Sequence, residues 1–283
     1  MIEKHVPLIV GFVADLMFTT QIEQVATRMG FGIEWIANAN NVGSAGLNNL
    51  KDPPGEMLHG RGGKLFEKIT AWQPALLLFD LTNQDIPWQK WIPALKSSPA
   101  TRRIPIMCFG PHIDVALMTE AKRVGADMVL ARSRFTADMG ALFEKTARTQ
   151  NYAELDAACS TPLPELVRSG IELFNQGEYY KCHDALEEAW LAEKGAARDL
   201  YRGILQVGIA LYQVQRENYR GAVKMLLRVR QWLDPLPTVC QGVNIVALRE
   251  NAQQIYAHVR ALGPTRLGEF DWKLVMAIDY AKQ

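Results

Sequence analysis

Residues 73–81 are Gln-Pro-Ala-Leu-Leu-Leu-Phe-Asp-Leu, and this stretch decides the fold of the first half of the chain. Its apolar run, Ala75–Phe79, predicts a strand that is buried on both faces, as in the middle of a parallel sheet covered by helices. The run ends at Asp80. A carboxylate therefore stands at the carboxyl end of the predicted strand, where open α/β sheets bind their ligands.

Similar strand-like runs precede and follow this one, and segments of helical length separate them. The predicted strands are Leu8–Val13, Gly32–Ala37, Ala75–Phe79, Ile104–Phe109 and Asp127–Ala131. The predicted helices are Thr20–Met29, Gly63–Trp72, Pro87–Leu95, Val115–Val124 and Phe135–Thr146. This alternation predicts an α/β doubly wound domain with a five-stranded parallel sheet over residues 1–148. The segment Asn38–Arg61 shows no periodicity, and we expect a long, mobile loop there.

The strand pattern stops after Thr146, and a helical period replaces it. Residues 149–162 are small and polar with two prolines nearby, which predicts a linker. Residues 163–283 predict an all-α helical bundle domain, since their apolar residues recur every three or four positions. Its predicted helices start at Pro162–Pro164 and continue with Tyr179–Lys194, Ala197–Arg216, Arg220–Leu233, Val243–Leu262 and Asp271–Ala281.

Composition excludes several classes of protein. The 31 basic and 30 acidic residues leave a formal charge of +1, so no strong positive field for nucleic acid is present. Apolar stretches are far shorter than the roughly 20 residues that span a bilayer. We therefore expect a cytoplasmic protein with no nucleic acid and no membrane partner. The expectation that it binds a protein partner comes from the helical second half, because stacked helix hairpins more often contact proteins than catalyse reactions. The four scattered cysteines include no C-x-x-C pair, which predicts reduced thiols and no cysteine zinc site.

The first half resembles a known family. Residues 73–81, together with Arg103-Ile104-Pro105-Ile106-Met107 and Gly125-Ala126-Asp127-Met128-Val129-Leu130, resemble the response-regulator receiver domain, and the likeness extends over Pro7–Thr146. The resemblance implies a phosphorelay signalling fold in which Asp80 holds the position of the phosphate acceptor. It also implies an acidic pair that binds magnesium, a Ser or Thr after the fourth strand and a Lys after the fifth.

Most of these helper positions depart from the family pattern. Only Asp15 is acidic near the end of the first strand, while Gly110 and Arg132 hold the hydroxyl and lysine positions. Magnesium is coordinated by several oxygen ligands, so we expect at most weak magnesium binding at Asp15 and Asp80, and otherwise no cofactor. The sequence predicts a degenerate receiver, or pseudo-receiver. Residual phosphorylation of Asp80 stays open at this point.

The second half contains a histidine on an apolar helix face. His183 and Glu187 are four residues apart and share one side of the predicted helix, and Trp190 follows one turn later. With Tyr201-Arg202-Gly203-x-x-Gln206 and Asn218-Tyr219-Arg220-Gly221-Ala222, these residues resemble the family known as domain of unknown function 309, over about Pro164–Tyr280. The resemblance implies a compact helical bundle whose marked polar residues are His183, Glu187 and Gln206. It brings no activity with it.

Three interpretations of this cluster compete. In an enzyme, His183 would act as a general base that Glu187 orients. In a phosphotransfer domain, His183 would carry phosphate, although the acidic residues around it oppose an incoming phosphoryl group. In a structural or recognition cluster, the His–Glu pair would fix a helix crossing. We favour the last, without a metal, because a zinc site needs at least three protein ligands.

The sequence as a whole predicts a signalling or regulatory protein. Its first domain is a degenerate receiver, and its second is a helical output module that binds a partner. The alternative is that the helical domain is an enzyme or a metal- or ligand-binding module that uses a pocket of His183, Glu187 and Gln206.

Overall fold

The computed structural model describes residues 6–42 and 61–281, and these fall into two compact units. The first unit ends at Thr149 and the second begins at Gln150. Among the helices of these described residues, none is long and apolar enough to span a bilayer.

The first unit is built on one parallel sheet. Its strands are β1 (Leu8–Phe12), β2 (Gly32–Trp35), β3 (Leu76–Asp80), β4 (Ile106–Gly110) and β5 (Met128–Ala131). Its helices are α1 (Leu16–Arg28), α2 (Arg61–Trp72), α3 (Trp88–Ser97), α4 (Val115–Arg123) and α5 (Arg132–Thr146). All neighbouring strands are parallel, in the order β2-β1-β3-β4-β5. This is the strand order of the flavodoxin-like doubly wound fold, which confirms the predicted fold class.

The central strands are buried on both sides, as their composition predicts. Every residue of β3 and β4 is buried. Phe12 and Phe79 stack with ring centroids 4.1 Å apart, and Phe109 and Phe135 stack at 4.6 Å. These rings tie the sheet to itself and to α5, so the core fixes the positions of the strand ends.

The segment Asn38–Arg61 is only partly described. Ala39–Val42 forms a short 3-10 helix after β2. Residues 43–60 lie outside the described residues, and with them most of the predicted loop.

The second unit is helical. Its helices are α6 (Tyr152–Cys159), α7 (Glu165–Asn175), α8 (Tyr179–Ala192), α9 (Arg198–Gln215), α10 (Tyr219–Leu233) and α11 (Ile245–Leu262). From α7 to α11 each helix packs on the next one in the chain. A two-stranded hairpin of β6 (Val239–Cys240) and β7 (Val243–Asn244) lies between α10 and α11. Helix α9 contributes ten buried residues and packs against both α8 and α10, so it lies at the centre of the bundle.

The end of the chain differs from its prediction. The pattern predicts a helix over Asp271–Ala281, but the structure has a single 3-10 turn, Trp272–Leu274, followed by extended chain. Asn175 of α7 accepts a hydrogen bond from the Ile278 amide at 2.8 Å and donates one to its carbonyl at 3.0 Å. Since these bonds to another element replace the bonds of a helical turn, tertiary contacts decide the local structure here.

A second difference concerns the predicted linker and the cysteines. Residues 149–162 contain α6, and its last residue, Cys159, forms a disulfide with Cys240 of β6. The expectation that all four cysteines are reduced is therefore wrong. The two partners are 81 residues apart, and spacing along the chain does not show which residues the fold brings together. Cys108 and Cys182 are free and buried.

The disulfide predicts a measurable loss of stability on reduction. A cross-link between residues 81 positions apart lowers the entropy of the unfolded chain, which stabilises the fold by about 4.5 kcal/mol in the loop-entropy model. We expect a reductant to lower the free energy of unfolding by up to that amount in urea titrations. A Cys159→Ser/Cys240→Ser variant should show the lowered stability in both conditions. Equal stability of the unaltered protein with and without reductant would contradict the pairing.

Candidate functional sites

The first candidate site lies at the carboxyl edge of the sheet and centres on Asp80. This residue ends β3 and is 4% exposed. Its Oδ1 accepts hydrogen bonds from the Thr82 amide at 2.9 Å and the Thr82 hydroxyl at 2.6 Å. Thr82 was not among the residues singled out in the sequence. A hydroxyl two residues after a strand-end carboxylate is a turn signal that could have identified it.

Arg132 binds the other carboxylate oxygen of Asp80. It is the first residue of α5, directly after β5, and its Nη2 donates to Asp80 Oδ2 at 2.7 Å and to the Thr82 hydroxyl at 3.0 Å. Its guanidinium also lies 5.1 Å from the ring centroid of Phe18 and 5.4 Å from that of Phe109. Two oxygens and two rings therefore hold this arginine in one position, and it neutralises the buried carboxylate.

Asp15 has a different task. It is exposed and caps α1, accepting hydrogen bonds from the amides of Met17 at 3.0 Å and Phe18 at 3.1 Å. A carboxylate at a helix N-cap satisfies amides that no helical carbonyl can reach, and it suits the helix dipole. The cap also explains why α1 begins four residues before its predicted start.

This donor set does not fit the magnesium that a receiver resemblance implies. Within residues 6–42 and 61–281, no group of three or more His, Cys, Asp or Glu side chains is placed to hold a metal ion. Asp15 is engaged as a cap and Asp80 as half of an ion pair. Gly110, at the position of the family's hydroxyl, ends β4 and has no side chain to offer.

The second candidate site lies on α8. His183 is half-buried, and its Nδ1 is 3.1 Å from Asp184 Oδ1. Glu187 is exposed and forms no hydrogen bond or ion pair with any residue that the structure describes. The carboxylate beside the imidazole is therefore that of Asp184, the next residue in the chain, and not that of Glu187. Pairing at Nδ1 leaves Nε2 available for other contacts.

Trp190 is enclosed by arginines from α9. The guanidinium carbon of Arg202 lies 4.4 Å from the Trp190 ring centroid and 4.0 Å from that of Trp232 on α10. The guanidinium carbon of Arg198 lies 5.2 Å from the Trp190 centroid. Cations over indole faces are favourable, so these side chains tie α8, α9 and α10 together on one side of the bundle.

Gln206 lies one turn beyond Arg202 on α9. Its Oε1 is buried, as is Nε1 of Trp190, and neither atom has a hydrogen-bond partner among the described residues. At the other end of this face, the rings of Tyr180 and Tyr212 are 5.3 Å apart. His183 lies one turn after Tyr180 on α8, and Gln206 lies between Arg202 and Tyr212 on α9, so both lie between these two contacts, whereas Glu187 is exposed. An unpaired buried donor and acceptor each cost about 1–3 kcal/mol.

His258, the other histidine considered for this cluster, serves elsewhere. Its Nε2 accepts a hydrogen bond from the Asp271 amide at 3.2 Å, and its ring packs against Phe270 at 5.3 Å. It fixes the end of the chain to α11.

The two units together define a class of protein: a doubly wound α/β sandwich joined to a helical bundle. Within the bundle, residues 167–225 match the family model described as domain of unknown function (DUF309). The match includes His183, Glu187, Trp190, Gln206 and Arg220, and it confirms the resemblance found in the sequence.

Two curated proteins share parts of the chain. An uncharacterised protein of Aquifex aeolicus is 24% identical over 92 residues, which cover 32% of this chain and 28% of that protein. The uncharacterised protein YpuF of Bacillus subtilis is 33% identical over 57 residues, 20% of this chain and 33% of that protein. The chain thus spans about a third or less of each of these relatives.

Three response regulators are among the solved structures that are similar to about half of the chain. The phosphorylated cyanobacterial phytochrome response regulator RcpA is 10% identical with a TM-score of 0.37, covering 50% of this chain and 93% of its own. The chemotaxis response regulator CheY4 of Vibrio cholerae is 11% identical with a TM-score of 0.37, covering 50% and 98%. HP1043, an orphan response regulator of H. pylori, is 14% identical with a TM-score of 0.34, covering 49% and 94%.

The pairing of Asp80 with Arg132 predicts a loss of stability when the arginine is removed. Arg132→Ala leaves a buried carboxylate without its cation, so we expect the free energy of unfolding to fall by about 2 kcal/mol. The neighbouring exposed Arg134→Ala is the matched control and should change it by less than about 0.5 kcal/mol. An Asp80→Asn/Arg132→Ala variant should lose less than the two single losses added together. Strict additivity in urea titrations would refute the coupling.

The free cysteines predict a second result. Burial raises the pKa of the Cys182 thiol to about 12. Burial, with a smaller contribution from the charge of Asp127, also raises the pKa of Cys108. At pH 8 about one Cys182 thiol in ten thousand is then ionised. A chromogenic disulfide reagent should label neither thiol in the native protein and both in denaturant. Rapid labelling of a native thiol at pH 8 would contradict the burial.

Proposed function

We propose that this is a regulatory signalling protein whose receiver-like unit acts through its surface, without a phosphoryl group, and whose helical unit is its partner-binding output. The proposal rests on one observation above all, the engagement of both oxygens of Asp80. Arg132 holds Oδ2 and Thr82 holds Oδ1, and the carboxyl is almost fully buried.

Phosphoryl transfer to a carboxylate makes demands that this arrangement does not meet. An oxygen of Asp80 would have to attack phosphorus, and a cation would have to offset the charge of the incoming group. The Arg132–Asp80 pair is already neutral, and the donor set around it does not fit magnesium. The receiver-like unit is therefore suited to remain in one state.

The helical unit supports the second half of the proposal. Its helices pack in sequence order around α9, and the outer face of α8 exposes Tyr180 and Leu191, each at 56%. Exposed aromatic and aliphatic side chains beside charged ones are typical of protein-binding surfaces. We place the protein in the cytoplasm in this proposal. Disulfides such as Cys159–Cys240 are uncommon in that compartment, so this one is an exception to the usual pattern.

An enzymatic role for the helical unit is the second candidate, and the His183–Asp184 contact favours it. A carboxylate at Nδ1 orients an imidazole so that Nε2 faces outward, as a general base requires. Gln206 Oε1 and Trp190 Nε1, both buried and unpaired among the described residues, are an acceptor and a donor on the same two helices, α9 and α8. A stoichiometric transition metal in the purified protein that is lost in His183→Ala would favour this candidate.

Phosphorylation chemistry tests the proposal directly. Incubation of the full chain with acetyl phosphate and magnesium should leave its intact mass unchanged, because Asp80 is paired with Arg132. A receiver domain that autophosphorylates under the same conditions is the positive control. A mass increase of one phosphoryl group that disappears in Asp80→Asn would overturn the proposal.

A further inference from the structure

Helix α10 has an unusual charge distribution. Its 15 residues include four basic side chains and no acidic one. Arg230 is paired with Asp234 at 3.2 Å. The other three, Arg220, Lys224 and Arg228, recur every four residues and lie on the side of α10 that faces solvent, which we call the basic face.

The charges of the basic face are only partly balanced within the protein. Arg220 and Lys224 are exposed and have no ion pair with any residue in the described parts of the chain. Between them and Arg228 lies Met225, which is half-buried. The surface is thus a positive stripe about 12 Å long with one apolar side chain in it.

Helix α8 carries three acidic side chains, and its one lysine, Lys181, is paired with Glu178 at 3.2 Å. The side of α8 that faces solvent presents Asp184, Glu187 and Glu188, all exposed, and we call it the acidic face. Tyr180 and Leu191 extend this face at its two ends. Glu187 and Glu188, like the first two residues of the basic face, have no ion pair among the described residues.

Two tryptophans relate these faces to α9. Helices α8 and α10 both pack against α9, and Arg202 of α9 touches Trp190 of α8 and Trp232 of α10 at once. Glu187 lies one turn before Trp190 and Arg228 lies one turn before Trp232, so one residue of each face approaches this side of α9. The two faces are opposite in charge, and the acidic one spans about 16 Å when Tyr180 and Leu191 at its ends are included.

We propose that these faces bind each other between two copies of this chain, the acidic face of one copy against the basic face of the other. A two-fold axis that runs along α9 in the interface places α8 of each copy opposite α10 of the other. A single closed dimer therefore forms both contacts. Charge complementarity sets the orientation, and burial of Tyr180, Leu191 and Met225 contributes apolar area. This self-association goes beyond the proposed function and does not depend on the chemistry of Asp80.

The test is the molar mass of the full chain in low salt, measured by light scattering or sedimentation. We expect twice the 31.7 kDa of one chain. Arg220→Glu/Lys224→Glu and Glu187→Lys/Glu188→Lys should each halve that mass, since like charges then face each other in both contacts. Salt at about 0.5 M should also lower it, because screening shortens the range of the attraction to a few Å.

Combining the two charge reversals shows whether a variant loses the dimer because its faces repel each other or because it does not fold. A one-to-one mixture of the two reversed proteins should regain the dimer mass, because each positive face then meets a negative one. The variant that carries all four substitutions should regain it as well. Lys122→Glu/Arg123→Glu, which changes the same net charge on exposed α4, should keep the dimer. Circular dichroism checks that each variant is folded.

Three outcomes would overturn the proposal. One is a single-chain mass for the unaltered protein. Another is a dimer mass that is unchanged in either charge-reversed variant. The third is a single-chain mass for both the one-to-one mixture and the variant with all four substitutions. None of these results bears on whether Asp80 accepts phosphate. The proposed function is tested separately, by the acetyl phosphate experiment.

Discussion

The first unit depends on the neutralisation of one buried carboxylate. Asp80 ends a strand whose every residue is buried, and a charge in that position is costly unless it is paired and hydrogen-bonded. Arg132 supplies the positive charge, and the rings of Phe18 and Phe109 fix the arginine. The doubly wound sheet therefore has an internal ion pair at the carboxyl edge of its strands, where open α/β sheets bind their ligands.

Local hydrogen bonds decide what each candidate carboxylate can do. Asp15 serves the amides two and three residues ahead of it, and Asp80 serves Thr82, two residues ahead. In the helical unit Asp184 contacts the histidine directly before it. Each of these contacts joins groups no more than three residues apart. These local hydrogen bonds engage the carboxylates, which are then not free for the metal binding or catalysis that a family pattern suggests.

The range of an interaction along the chain also decides whether the sequence could predict it. The apolar run before Asp80 and the helical periods after Thr146 predict the sheet and the bundle, because burial and periodicity are local properties of the chain. The disulfide between Cys159 and Cys240 and the hydrogen bonds from Asn175 to Ile278 join residues that are 81 and 103 positions apart. No local pattern encodes them. Helical spacing predicts His183, Glu187 and Trp190, and the resemblance adds Gln206. The carboxylate that contacts His183 is identified only by side-chain geometry.

Net charge proves to be a poor guide to the helical unit. A formal charge of +1 for the chain argues against a nucleic-acid surface, yet α10 alone carries four basic residues and no acid. Asp184, Glu187 and Glu188 lie on α8, a different helix that also packs against α9, so the balance of charge over the chain does not hold for each helix. Opposite charges on separate helices attract partners of complementary pattern, and the same chain supplies one such pattern.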